Sequence, residues 1–137
     1  MTATPLQGRL PDGLVAVVKR ECPTCVLVAP VLAALAHGDL PLTVYSQDDP
    51  GFPDGVDVVD DTSLEVSFRL DLEAVPTLLR VQRGEIVERT EGWVRERWEA
   101  LTGRRGLGPG LPDFRPGCGS RTQDPDVAAA RTAAAGA

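Results

Sequence analysis

A chain of 137 residues, 42% of them hydrophobic, is enough for one ordinary domain with a real core and argues against a second. A formal charge of -6 at pH 7, with no clustered Lys/Arg face, excludes nucleic acid as a natural partner. No stretch approaches the roughly 20 apolar residues that span a bilayer. Met1 to Gly13 has no basic region followed by an apolar run, so a soluble, cytoplasmic protein with no membrane partner is expected.

In chain order, Pro11-Asp12-Gly13 feeds the apolar, β-branched run Leu14–Val18, the pattern of a buried parallel strand. Val26 to His37 is free of glycine, rich in Leu and Ala, and stopped by Gly38, which predicts a helix containing Pro30. Leu42–Tyr45 is a second strand, so the first 46 residues read as a βαβ unit with parallel strands. Residues 47–61 hold six aspartates with Pro50, Gly51, Pro53 and Gly55 and read as a solvated loop. Asp61 caps a short second helix from Thr62 to about Leu70. Thr77–Val81 and Glu85–Arg89, parted by Gln82-Arg83-Gly84, predict an antiparallel hairpin. A last helix runs from about Trp93 to Thr102, with Val94, Trp98 and Leu101 on one face and Gly103 closing it. The order β-α-β-α-β-β-α is that of an α/β fold. Residues 103–120 carry nine Gly or Pro and residues 126–136 are alanine-rich. The organisation expected is an N-terminal arm (1–12), one domain (13–102) and a tail or linker (103–137), with room for a weak helix near Val127–Ala135.

The chemistry lies in Cys22-Pro23-Thr24-Cys25, placed where the first strand passes into the first helix. A redox cysteine works as its thiolate, and the positive end of a helix dipole favours that charge at Cys22. Two intervening residues bring Cys25 back to Cys22 across one turn, so Cys22 reads as the attacking thiol and Cys25 as the resolving one. Pro23 suits the first helical turn, and Thr24 sets a hydroxyl near the sulfurs. A zinc site is the competing reading. It lacks ligands, since only Cys118 and His37 remain, and no metal is expected. The aspartates of 47–61 do not have the alternating spacing of an EF-hand loop either. Trp93 and Trp98 read as core residues, and His37 as a partner of the helix C-terminal dipole.

The run Cys22-Pro-Thr-Cys-Val-Leu-Val-Ala-Pro30 resembles the active-site helix of thioredoxins, and Leu72-Glu-Ala-Val-Pro76-Thr77, Arg83-Gly84-Glu85 and Gly92 resemble that family's cis-proline strand, hairpin and following glycine. The resemblance spans roughly residues 13–102. It implies a thioredoxin-like fold with a central mixed sheet of about four strands flanked by helices, and a cis Val75–Pro76 bond against the cysteines. Val75 would then offer its backbone to an extended substrate. Three features depart from the pattern. Glu21 stands where tryptophan is usual. Ala16 replaces a buried aspartate, with Ser46 about where its lysine partner is expected, which leaves the proton of Cys25 to water or to Glu21. The acidic loop is also longer.

These readings converge on a thiol–disulfide oxidoreductase without a bound cofactor, working through Cys22 and Cys25 on a disulfide-bearing protein or a low-molecular-weight thiol, with electrons from another thiol system. The substrate contacts are Pro23, Thr24, Val75 and Pro76, and Glu21 and Cys118 stand as modulators. Three uses are open to Cys118: folded back onto Cys22 as a relay or cap, projected outward toward a partner or further domain, or unpaired with no role. The alternative from a different class is a non-catalytic module that docks a partner or an adjoining enzyme domain.

Overall fold

The computed structural model describes residues 10–127. Its centre is β1 (Gly13–Val18), buried at every position. The parallel neighbour of β1 is β2 (Leu42–Ser46), in register Leu14↔Leu42 to Val18↔Ser46. Between them runs α1 (Pro23–Ala36), which buries Val28, Val31, Leu32 and Leu35, the i, i+3, i+4, i+7 stripe of a helix laid on a core. The helix continues through the exposed Pro30 and ends at His37, whose amide donates to Ala34 O.

The aspartate-rich stretch read as a solvated loop carries a further strand, β3 (Val58–Asp60), parallel to β2. Three residues with an aspartate on either side are too few to show a period, and main-chain pairing with β2 and the packing of Val58 on the core hold this edge. The expected helix at Thr62 is shorter: α2 spans Glu65–Arg69. Asp61 does cap it, from outside the helix. Its carboxylate accepts the amides of Val66 (2.9 Å) and Ser67 (3.0 Å) and the hydroxyl of Ser67 (2.6 Å). Residues 62–64 make the intervening turn, with Leu64 at φ 63.

After β4 (Ala74–Val75), the hairpin forms from β5 (Thr77–Gln82) and β6 (Glu85–Glu91), turning at Arg83 and Gly84 with positive φ at both, as a tight hairpin turn needs. The central sheet therefore has five strands, in the order β3-β2-β1-β5-β6, against about four expected. Trp93–Val94 is extended (β7), and the last long helix, α3, starts only at Arg95 and ends at Thr102. Trp93 and Trp98 are fully buried edge to face, with ring centroids 5.1 Å apart.

The largest difference concerns residues 103–127, expected to be a tail. They fold onto the domain. Phe114–Arg115 (β8) pairs with β7, Cys118–Gly119 (β9) pairs with β4, and a 3-10 turn follows at Arg121–Gln123. Side chains, rather than a ladder, satisfy this glycine- and proline-rich backbone. Arg95 donates to the carbonyls of Leu107, Gly108 and Leu111 and pairs with Asp113. A carboxylate oxygen of Glu99 accepts from the amides of Gly106 and Leu107, and Trp93 Nε1 donates to Pro112 O. Bonds of that kind leave no periodic trace in a sequence. Residues 1–9 of the arm and residues 128–137, which hold all of the weak helix read near Val127–Ala135 except the helical Val127, lie outside the described residues.

The C-terminal segment closes on a buried amide. Gln47 is wholly buried; its Nε2 donates to Ser67 Oγ (2.9 Å) and Ser120 Oγ (2.8 Å), and its Oε1 accepts from the amide of Arg121 (2.9 Å). Thr122 Oγ1 bonds Ser120 Oγ (2.8 Å) and donates to Leu72 O (2.9 Å). Leaving one buried polar group unsatisfied costs about 1–3 kcal/mol. Gln47→Leu strands several, so a loss of about 2–4 kcal/mol is expected in urea unfolding with an unchanged slope; a loss under about 0.5 kcal/mol would refute the network.

Candidate active site

Cys22 forms the N-cap of α1, and the amide of Cys25 reaches its Sγ at 3.3 Å. The loop that sets this start is pinned by Asp48, whose two carboxylate oxygens accept the amides of Arg20 (2.7 Å) and Glu21 (3.0 Å). Beside it, Arg20 and Asp49 pair at 2.7 Å, holding the Asp49 carboxyl below its ordinary range. β1 and β2 are parallel neighbours, so the loops leaving their carboxyl ends lie side by side, the place where open α/β sheets build their sites. That rule was the available signal for Asp48, which sequence reading placed in a solvated loop.

The opposite wall is β4. The Val75–Pro76 peptide is cis, both residues are buried, and Val75 O lies 3.6 Å from Cys22 Sγ. Thr77 Oγ1 fastens the strand to Ala74 O at 2.7 Å, and Gly92 N donates to Pro76 O at 2.8 Å. Cys22, Thr24, Cys25, Val75 and Pro76 are thus brought together and buried. Pro23 is exposed at the first helical turn.

Cys22 is bonded to Cys118 in a disulfide, with 5.8 Å between their Cα atoms. Of the three uses open to Cys118, the structure takes the folded-back one. The strand that carries it lies antiparallel to β4, with Cys118 opposite Val75 and Gly119 opposite Ala74. Thr24 Oγ1 donates to Pro116 O at 2.7 Å, so the hydroxyl between the cysteines binds the incoming chain. Gly117 is required by this approach: a Cβ there would sit 2.6 Å from Val75 O.

Cys25 is the free thiol, fully buried. Burial pushes its pKa up to about 12, while the Lys19 amide 3.4 Å from Sγ and the Lys19 charge pull the other way, and Asp48 adds to the rise. Ala16 and Ser46 are buried where the departures from the family pattern were read, so neither offers Cys25 a carboxylate. Glu21 is exposed, and the charges that act on Cys25 are those of Lys19 and Asp48. His37 stands at the far end of α1, and among the described residues no group of three or more His, Cys, Asp or Glu is arranged to hold a metal.

A buried, protonated Cys25 has two expected consequences. Iodoacetamide at pH 7 leaves it unmodified in the folded, oxidised protein and labels it at once in guanidinium chloride; prompt native labelling would contradict the burial. The folded chain also keeps a proton that the unfolded chain releases between the ordinary thiol range and about 12, so stability falls as pH rises through that window. In Cys25→Ala the midpoint of thermal unfolding falls less steeply there.

No family model and no curated protein matches this sequence. Solved structures do. The reduced thioredoxin pre-protein of Schistosoma mansoni superposes with a TM-score of 0.50 and 22% identity over 67% of this chain and 78% of that one. Thioredoxin f2 of Chlamydomonas reinhardtii gives a TM-score of 0.44 and 20% identity over 71% of this chain and 82% of that one. The first likeness is one of architecture, and with the mixed sheet and its flanking helices it makes this chain a thioredoxin-fold protein.

Proposed function

We propose that the protein is a thiol–disulfide oxidoreductase whose exchange reaction is centred on Cys22. The observation that carries this reading is the position of Cys22: it is bonded to Cys118 at the start of α1, with the amide of a second, free cysteine, Cys25, pointed at its sulfur. A thiolate released at Cys22 meets that amide and the positive end of the 14-residue helix, which makes Cys22 both a good leaving group and a good nucleophile. Two thiols, Cys25 and Cys118, can each close a disulfide with it without a large movement of the chain. No cofactor enters the exchange. The partner is a disulfide-bearing protein or a small thiol, the electrons come from another thiol system, and the setting is the cytoplasm.

The accessory-module reading also has an observation in its favour: Cys22, one half of the Cys22–Cys118 disulfide, is fully buried, which suits a structural bond in a docking domain. Insulin reduction with dithiothreitol as electron source separates the two. The oxidoreductase turns over insulin at least tenfold above the dithiothreitol blank, and Cys22→Ser falls to the blank. Wild type and Cys22→Ser both at the blank would establish the docking module instead.

A further inference from the structure

The chain covering the site is anchored on both sides of Cys118. Upstream, β8 pairs with β7, and Arg95 grips the segment from Leu107 to Asp113. Downstream, Ser120 N donates to Glu73 O at 3.1 Å, and Ser120 and Thr122 enter the buried Gln47 network. Between these anchors, residues 116–119 cross Cys22 in main-chain contact with Thr24, Ala74 and Val75. The crossing is close: a Cβ on Gly117 would meet Val75 O at 2.6 Å, and one on Gly92 would meet the Gly117 amide at 3.0 Å. Opening the disulfide therefore does not release a free tail. Of the three cysteines, Cys22 and Cys25 are wholly buried, and only Cys118 is partly exposed.

From this geometry we propose that Cys118 is the partner-facing sulfur of a three-cysteine exchange chain, with Cys22 in the middle and Cys25 innermost. The inference rests on the oxidoreductase reading. In the fully reduced protein the Cys118 thiolate attacks a partner's disulfide, forming a Cys118–partner bond and releasing the partner's other sulfur, which takes a proton. The Cys22 thiolate then attacks Cys118 Sγ and expels the second partner sulfur, which is also protonated. The partner has gained two electrons, and the Cys22–Cys118 disulfide seen in the structure remains. In a third step Cys25 attacks Cys22 Sγ and expels Cys118, and the proton that leaves Cys25 passes through water to the departing Cys118 sulfur. That step moves the disulfide inward with no net redox change. An external dithiol reverses the sequence by the same path and restores the reduced protein. Because both anchors hold Cys118 beside Cys22, each internal step proceeds at high effective concentration.

The experiment compares insulin reduction by the full chain, Cys118→Ser and Cys22→Ser, with folding followed by circular dichroism. Cys118→Ser is expected to lose at least tenfold in kcat/KM on insulin while remaining folded. Cys22→Ser is expected to hold a mixed disulfide that peptide mapping places on Cys118. If Cys118→Ser keeps or exceeds the wild-type rate, Cys22 is reached directly and the proposal falls while the oxidoreductase reading stands. A wild type that reduces no insulin overturns both. Should Cys118→Ser unfold, the trapped adduct in Cys22→Ser decides: on Cys118 it supports the relay, and on Cys25, or absent, it refutes it.

Discussion

The buried amide of Gln47 is the constraint on which the site depends. It sits immediately after β2, its backbone amide donates to Val18 O at the end of β1, and its backbone carbonyl accepts from Arg121 at 2.8 Å. Its side chain is bonded at both ends, to Ser67 of α2 and to Ser120 and Arg121 of the C-terminal segment. One wholly buried residue thus ties the two parallel strands, the second helix and the last stretch of chain to a common point. Buried polar groups hold a unique geometry only when each is satisfied, and these are. The tie acts together with the bonds of Ser120 N to Glu73 O and of Thr122 and Gln123 to Leu72 O, which hold the chain downstream of Cys118 beside β4.

The segment so held changes the meaning of the cysteine pair. A strand of the same chain lies over the first sulfur of the CxxC pair, which is wholly buried. The covering strand pairs its main chain with Val75 and accepts the hydroxyl of Thr24. It also bonds its cysteine to Cys22. Charge is placed with the same economy. Asp48 spends both oxygens on the backbone ahead of Cys22, and its negative charge raises the Cys25 thiol further.

The parts of this fold governed by periodicity and capping were legible in the sequence. Leu14–Val18 and Leu42–Tyr45 show as strands because β-branched apolar runs between turn residues have few other uses, and the hairpin shows because Gln82-Arg83-Gly84, a short break with a glycine, parts two strand-like runs. Cys22, Thr24 and Cys25 stood out by their spacing at a strand-to-helix junction, whereas Val75 and Pro76 were implied by the resemblance to thioredoxins. What was hidden is the structure made by single side chains. Arg95, Glu99 and Trp93 fold a glycine- and proline-rich stretch that has no period of its own, and Gln47 anchors its end. Val58–Asp60 was masked for a related reason, since an edge strand of three residues is defined by its neighbour's backbone. The need for glycine at 117 was hidden too, because Val75, whose carbonyl it passes, lies 42 positions earlier and only the fold brings them together.

The central claim is that the oxidised protein holds its disulfide between Cys22 and Cys118 with Cys25 as a buried thiol. Disulfide mapping by peptide mass spectrometry, after native alkylation at neutral pH and a second, distinct alkylation in denaturant, tests it most directly. The account predicts a Cys22–Cys118 linkage in most oxidised chains, with Cys25 carrying only the second label. A dominant Cys22–Cys25 linkage, with Cys118 carrying the first label, would contradict it.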